Sequence, residues 1–211
     1  MSNKEYEVRI TNIDTTEFRK KLKKFGAKLD NPKRLMPFVV FTHPKNKKDS
    51  YVRIRDEGKK ITMTSKSNLK DKFLTEYEVE IDDFQSGVDL LLSLGCKVKY
   101  YVEKIRETWK VPGCKEIVFD SYPGLKEYIE IECNSEKILN STMKKLDVKP
   151  DGSDITIDGM FLNQYGIKKD RKKSEKFTFK DTKKNLSKFI TKNKSTFNKI
   201  IKEQLDFLNK K

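Results

Sequence analysis

The stretch EYEVRI, residues 5–10, alternates charged and apolar side chains over six positions. Successive side chains of a β-strand point to opposite faces of the sheet. Glu5, Glu7 and Arg9 therefore share one face of the predicted strand, and the other face is apolar. A single strand of this kind indicates only local amphipathic structure, so the fold depends on whether the pattern recurs.

The same alternation recurs through the first 167 residues. We predict seven further strands, at residues 36–43, 50–55, 60–66, 75–81, 102–111, 116–120 and 127–133. Apolar residues at helical spacing interrupt these strands and predict helices at residues 15–26, 82–95 and 135–147, with a further short segment at 158–166. Each helix would cover an apolar face of a sheet. The pattern is typical of an α+β fold.

The charges on these strands are sorted by sign. One predicted strand carries Glu76, Glu78 and Glu80 on a single face, and another carries Arg53 and Arg55. Like charges two residues apart on a strand lie only about 7 Å from each other and repel. One interpretation is the exposed outer face of a barrel with an apolar interior. Sorted charges on five strands favour the alternative, a closed barrel whose charged faces point inward.

An interior lined with charges must be hydrated and must hold ligands, because unpaired charges in a dry core are costly. Several guanidinium and ammonium groups on inward faces point to a polyanion with several phosphate groups. The cations are Arg9, Arg53, Arg55, Lys66, Lys104 and Arg106. Clustered carboxylates point to a hard divalent cation such as Mg²⁺ or Mn²⁺. The carboxylates are Glu5, Glu7, Glu76, Glu78, Glu80, Asp120, Glu130 and Glu132.

The motifs EYEVR, VRIR, TSK, EYEVE, KIR and FDSYPGLKEYIEIE follow one another in this order. In this order they resemble the CYTH superfamily, the triphosphate tunnel metalloenzymes, over about residues 4–147. The resemblance is closest to the branch that contains class IV adenylyl cyclases and thiamine or inorganic triphosphatases. It implies a closed eight-stranded antiparallel β-barrel, or tunnel, with a charged interior and covering helices.

The resemblance also implies roles for individual residues. Its catalytic, metal-binding carboxylates match Glu5, Glu7, Glu130 and Glu132, with Asp120 or Glu78 assisting. Its triphosphate clamps match Arg9, Arg53, Arg55, Lys66, Lys104 and Arg106. Arg9 stands where the family usually has Lys, and its planar fork can bind phosphate in a shifted register. Lys126 stands where the family usually has Gly.

The implied activity is divalent-metal-dependent hydrolysis of an inorganic, nucleoside or thiamine triphosphate. Hydrolysis is favoured because water is always available, whereas a cyclase must hold a nucleoside in one pose. A cyclase and a hydrolase can share every residue named above, so a class IV-type adenylyl cyclase that makes cyclic AMP from ATP stays an alternative. An RNA 5′-triphosphatase and a non-catalytic module that binds polyphosphate or RNA are two further alternatives.

Other catalytic and metal sites have little support in the sequence. The sequence has no Gly-x-x-x-x-Gly-Lys-Ser/Thr motif, which excludes a P-loop enzyme. The single histidine, His43, lies in the polar stretch THPKNKKDS and is interpreted as a surface residue. Cys96, Cys114 and Cys133 form no Cys-x-x-Cys pair, so we expect reduced structural thiols and no zinc site.

The positive charge is concentrated at the C-terminus. Residues 168–211 hold 16 Lys/Arg against 5 Asp/Glu, which leaves 31 against 27 for residues 1–167. We predict a tunnel domain at 1–167 and a basic helical extension at 168–211. Apolar residues recur there at intervals that fit one amphipathic helix, namely Leu186, Ile190, Phe197, Ile201, Leu205 and Leu208. Such a helix either packs back on the barrel or binds RNA or another polyanion.

The sequence also bears on the compartment. No apolar run approaches the roughly 18 residues of a membrane span, and the first residues lack the apolar core of a secretory signal. We therefore expect a cytoplasmic or nuclear protein.

Overall fold

The computed structural model describes residues 6–45, 50–67, 75–150, 156–167 and 176–210. Glu5, one of the expected metal ligands, lies outside these ranges. The described chain divides into two compact units. The middle unit comprises the described residues of Met36–Glu103 together with residues 176–178, and the terminal unit comprises the other described residues.

The middle unit is built on four strands that pair in chain order, each antiparallel to the next. They are β2 (Lys28–Thr42, which enters this unit at Met36), β3 (Tyr51–Asp56), β4 (Ile61–Ser67) and β5 (Thr75–Ile81). The register sets Val39 opposite Ile54, and Ile54 opposite Met63. Apolar side chains of neighbouring strands therefore share one face.

Helix α2, Phe84–Ser93, covers this apolar face and buries Leu91 in its core. Gly87 permits the close packing, because a Cβ there would lie 2.5 Å from Cδ1 of Ile81. Strand β6, Val98–Lys110, begins in this unit, and the two-residue strand β9, Lys176–Phe177, pairs with it in parallel. Because α2 covers the apolar face, the charged face of the sheet lies on the opposite side.

The terminal unit contains a second antiparallel set of strands, in the order β1-β8-β7-β6. Their bounds are Tyr6–Ile10 for β1, Cys114–Ser121 for β7 and Tyr128–Cys133 for β8, and β6 continues here from Lys104. Helices α1 (Thr15–Lys24) and α3 (Glu136–Leu146) pack on the apolar face. Phe18 and Leu22 of α1 join the core formed by Ile117, Phe119 and Ile131.

The predicted helices are confirmed, with slightly shorter bounds. The side chains of Asp14, Asp83 and Ser135 accept hydrogen bonds from first-turn amides and so fix the starts of α1, α2 and α3. The short segment is helix α4, Ile157–Tyr165, which ends at Gly166. In the ranges that the structure describes, no helix combines the length and the apolar character needed to cross a membrane.

The α+β class and the strand pattern are also confirmed. Within the described residues, eight strands longer than two residues pair antiparallel and are interspersed with helices, and each predicted strand has its counterpart. This sheet is consistent with the predicted tunnel. Charged residues of five strands are less than 10% exposed, which disfavours a solvated outer face. They are Arg55, Lys66, Lys104, Arg106, Asp120 and Glu130.

The C-terminal segment is helical, but the prediction of one continuous helix is wrong. It forms α5 (Phe179–Leu186), a 3₁₀ turn (Ser187–Phe189) and α6 (Lys194–Asn209). The break arises because the Thr191 and Lys192 amides donate to the Tyr165 carbonyl at 3.1 and 3.3 Å, and Asn193 takes a left-handed conformation with φ 55°. The boundary at residue 167 and the role of the extension stay predictions.

The expectation of three reduced cysteines is wrong. Cys114 and Cys133 lie opposite each other on β7 and β8 and are joined by a disulfide bond, while Cys96 is a buried free thiol. The two cysteines are 19 residues apart in sequence, and only the strand register brings them together. Sequence spacing without that register could not reveal the pair.

Candidate active site

In the terminal unit, buried charges of both signs form one connected cluster. Arg106 lies at its centre on β6 and donates to Asp120 through Nε and Nη2, at 2.7 and 2.6 Å. Its Nη2 also donates to Oε2 of Glu130 at 2.9 Å, and Nη1 donates to Glu116 at 3.2 Å. Lys104 Nζ donates to Asp120 at 2.7 Å. A guanidinium fork matched to a carboxylate is a strong and directional contact.

The register of β1 and β8 brings Arg9 into the same cluster. Arg9 lies directly opposite Glu130, and Glu7 lies opposite Glu132. Nε of Arg9 donates to Oε1 of Glu130 at 2.9 Å, and its Nη2 lies 3.6 Å from Glu7 Oε1. Glu130 thus joins two guanidinium groups from different strands.

Electrostatics keep Glu130 ionised in this buried position. Burial alone would raise the pKa of its carboxyl, but the charges of Arg9, Lys104 and Arg106 outweigh that effect and hold the pKa well below its usual range. The pKa of Arg9 is raised in turn, because its attraction to Glu130 outweighs the opposing effect of burial. Glu130 and Arg9 are therefore both charged at neutral pH.

Two tyrosines adjoin the cluster. Tyr122 and Tyr128 stack in parallel with ring centroids 6.4 Å apart. The ammonium of Lys104 lies 5.9 Å from the centroid of Tyr122, and the guanidinium of Arg9 lies 5.5 Å from that of Tyr128. These are cation–π contacts, which fix the direction of a cation without neutralising it. Burial raises the pKa of both phenols, so both stay neutral.

The middle unit carries a smaller charged cluster on the opposite face from α2. The guanidinium of Arg55 on β3 pairs with Glu57 and lies 3.6 Å from Glu78 on β5. Thr64 on β4 donates to Glu78 at 3.0 Å, and Lys66 pairs with Glu76 at 2.9 Å. These contacts follow from the antiparallel register, which sets Thr64 opposite Glu78 and Lys66 opposite Glu76.

The expected site residues thus fall into two groups. Arg53 lies opposite Thr64 on the Arg55 face, in the middle unit with Lys66 and Glu78. The terminal unit brings together most of the others, listed here: Glu7, Arg9, Lys104, Arg106, Asp120 and Glu130. Glu132 lies on the same face of β8 but pairs with Lys115 at 2.9 Å. Their catalytic and binding roles stay predictions.

Sequence reasoning missed several participants. Glu116 precedes Asp120 by four residues on β7, so the two-residue period of a strand could have identified it. Tyr122 and Tyr128 carry no charge, and charge sorting therefore overlooked them. In the sequence, Glu107 interrupts the apolar face of β6, and the structure shows which partners accommodate its charge on that face. Its carboxylate accepts from Arg19 Nε at 2.9 Å and from Trp109 Nε1 at 2.7 Å.

The carboxylates have suitable chemistry for a divalent cation, since hard cations prefer oxygen ligands. Glu7 and Glu132 face each other across β1 and β8, with Glu130 two pairs further along, opposite Arg9. Among the residues that the structure describes, no group of three or more His, Cys, Asp or Glu side chains is preformed for a metal. Oxygens of Glu130 and Glu132 accept from Arg9 and Lys115. A cation held there would replace these contacts.

The sequence model of the CYTH domain matches residues 3–146, about two thirds of the chain. The chain belongs to the CYTH family. The membership expected from the ordered motifs is thus confirmed. Proteins with a CYTH domain are typically metal-dependent enzymes, either triphosphatases or cyclases. No curated protein matches the chain closely enough to narrow this range.

Solved CYTH-like structures share the fold. The PH1012 protein from Pyrococcus horikoshii OT3 is 22% identical with a TM-score of 0.58, covering 69% of this chain and 91% of that chain. The PH1819 protein from the same organism is 26% identical with a TM-score of 0.52, at 69% and 92% coverage. An adenylate cyclase-like protein from Vibrio parahaemolyticus is 16% identical with a TM-score of 0.58, at 69% and 86% coverage.

Proposed function

We propose that the protein is a divalent-metal-dependent triphosphatase that hydrolyses an inorganic, nucleoside or thiamine triphosphate inside a β-barrel tunnel. The observation that carries the proposal is the group formed by the buried Lys104 and Arg106 with the half-buried Arg9, held in place by Asp120 and Glu130. Buried cations that are fixed before the substrate arrives can stabilise the charge that develops during phosphoryl transfer. Membership of the CYTH family supports a triphosphate substrate.

Each part of the chain has a defined task in this proposal. Arg9, Lys104 and Arg106 of the terminal unit bind phosphate oxygens, and Arg53, Arg55 and Lys66 of the middle unit are proposed to bind phosphate oxygens as well. Asp120 holds Lys104 and Arg106 in a fixed direction through three hydrogen bonds. This arrangement favours a positioning role for Asp120 over metal binding. The neutral rings of Tyr122 and Tyr128 further restrict the positions of Lys104 and Arg9 through cation–π contacts.

The metal would be held by the carboxylates that match the family's ligands, namely Glu5, Glu7, Glu130 and Glu132. A divalent cation there would neutralise phosphate charge and lower the pKa of a water molecule for in-line attack. Glu7 lies beside the cation cluster, 3.6 Å from Nη2 of Arg9, so a cation bound there would adjoin the phosphate-binding groups. Glu130 would have to exchange its bonds from Arg9 and Arg106 for the metal.

The test is release of phosphate from tripolyphosphate, ATP and thiamine triphosphate, each with Mg²⁺ and with Mn²⁺, while cyclic AMP is measured in the ATP reactions. We expect metal-dependent phosphate release from at least one substrate. Cyclic AMP without phosphate release would identify a cyclase, since a ribose 3′-hydroxyl can attack in place of water. Binding without turnover would identify a non-catalytic module. Either result would overturn the proposal.

Metal dependence gives a specific expectation for Glu7. Glu7→Gln removes one charge of a metal ligand, so we expect loss of Mn²⁺ binding in calorimetry together with loss of turnover. The fold should survive, because the change relieves repulsion between neighbouring carboxylates. Glu17→Gln, at an exposed carboxylate of α1, is the matched control. Full turnover of the wild-type protein in EDTA would contradict the metal model.

The middle-unit clamp is tested by Arg55→Ala. Loss of a charge-assisted contact to phosphate should lower kcat/KM by about 10²-fold. A loss confined to KM would indicate uniform substrate binding, and a loss in kcat would place the contact in the transition state. Lys97→Ala, at an exposed lysine of the same unit, serves as control. Unchanged kinetics in Arg55→Ala would remove the middle unit from the substrate site.

A further inference from the structure

The loop between β7 and β8 connects the two strands that carry the central carboxylates of the site. Its first part, taken with Ser121 at the end of β7, consists of residues 121–125, follows Asp120 directly and leads to Tyr128 and Glu130. We call it the 121–125 loop. Any shift in this loop would move groups on both strands, because it begins one residue after Asp120 and ends three residues before Tyr128.

Gln204 of α6 holds this loop through its carboxamide. Its Nε2 lies within hydrogen-bonding distance of Ser121 Oγ at 2.6 Å and of the carbonyls of Tyr122 and Leu125 at 3.0 and 3.1 Å. Its Oε1 accepts from the Gly124 amide at 2.8 Å. Gln204 is 7% exposed, so water does not compete for these contacts. One buried side chain thus bonds to four residues of the loop.

Two aromatic residues, Tyr165 of α4 and Phe197 of α6, also contact Gly124 in this loop. The Tyr165 hydroxyl donates to the Gly124 carbonyl at 2.6 Å. Phe197 packs against the glycine so closely that a Cβ would lie 2.4 Å from its ring, and Gly124 also requires a left-handed φ of 78°. Tyr165 and Phe197 meet edge to face at 5.4 Å. The loop is therefore held at Gly124 by residues of both α4 and α6.

This restraint reaches the charged cluster through Tyr122. Tyr122 belongs to the loop, its ring stacks on Tyr128, and these two rings lie against Lys104 and Arg9. The backbone carbonyl of Tyr122 is one of the acceptors of Gln204. The contacts form a continuous path from α6 to both cations.

We propose that the C-terminal extension acts as a clamp on the active-site loop, with Gln204 as a positioning residue for Tyr122, Lys104 and Arg9. The inference rests on the proposed function for its catalytic consequence. The family match ends at residue 146, so Tyr165, Phe197 and Gln204 all lie beyond the shared domain. The clamp therefore lies outside the part of the chain that matches the CYTH domain.

Two variants of similar volume separate the loss of the amide donors of Gln204 from the loss of all its polar contacts. Gln204→Glu keeps the volume and an acceptor but loses the amide donors, and Gln204→Met removes all polar contacts. Glu203→Gln, the exposed neighbour on α6, is the control. We expect both Gln204 variants to bind tripolyphosphate about tenfold more weakly in metal-free calorimetry, with faster hydrogen exchange in the 121–125 loop. The control should match the wild type.

A double-mutant cycle distinguishes positioning from general destabilisation. If Gln204 acts through Tyr122, then Tyr122→Leu and Gln204→Met should weaken binding by about the same factor alone and together. A purely structural role would give additive effects. Unchanged loop exchange or additive losses would overturn the clamp, even if the wild type hydrolyses triphosphates. Wild-type binding without hydrolysis, coupled to Gln204, would instead overturn the proposed function and leave the clamp in place.

Discussion

Arg106→Ala is expected to abolish triphosphate hydrolysis, with a loss of at least about 10³-fold in kcat/KM. The side chain contacts Asp120, Glu130 and Glu116 and lies at the centre of the cluster. Its removal deletes a phosphate clamp and leaves buried carboxylates without their main partner. The first effect should appear in steady-state kinetics with tripolyphosphate.

The same substitution should lower the free energy of unfolding by about 3–5 kcal/mol, because a buried charge loses its partner. Arg106→Ala combined with Asp120→Ala should recover much of this stability without recovering activity. Lys110→Ala, at an exposed lysine on the same strand, is the control for loss of positive charge. Near-normal kinetics in Arg106→Ala would show that the cluster is structural and that substrate binds elsewhere.

Phe197→Ala is expected to be the most destabilising change in the C-terminal extension. The ring is fully buried and contacts Gly124 and Tyr165. Truncation of a buried phenylalanine costs about 3–5 kcal/mol, through lost burial and the cavity left behind. In a protein of this size the thermal midpoint should fall by about 10 °C or more.

Phe189→Ala provides the matched control, because that ring lies in the 3₁₀ turn and is only half-buried. Gly124→Ala should reproduce the loss from the other side of the contact, since the new methyl group meets the Phe197 ring and the backbone φ is positive. Equal melting temperatures for Phe197→Ala and Phe189→Ala would contradict the packing of α6 on the 121–125 loop.

The strands and the first three helices could be predicted because their signals are local. Alternation reveals a strand from six residues such as 5–10, and apolar spacing with a capping residue such as Ser135 reveals a helix. The sorting of charge along the strands likewise identifies from the sequence alone four cations that the structure buries: Arg55, Lys66, Lys104 and Arg106. These features depend on neighbours within a few positions, so the sequence contains the necessary information.

The remaining features depend on contacts between distant residues. The tail breaks where backbone amides of Thr191 and Lys192 meet the carbonyl of Tyr165. Gln204 interrupts the apolar pattern of the predicted helix, and its polar role requires partners about 80 positions away. The Cys114–Cys133 bond likewise depends on the register of β7 and β8. No local pattern encodes such pairings.

The internal pairing of Arg106 and Lys104 with Asp120 also affects how an anion would enter. These cations are shielded from bulk counterions because they are almost fully buried and already neutralised by carboxylates. Binding of a polyanion to an exposed basic surface releases condensed ions and weakens steeply with salt. At this cluster, a phosphate group would instead meet cations whose directions Asp120 already fixes, with few mobile ions to release. The selectivity of binding there would then come from geometry, and the affinity would depend little on ionic strength.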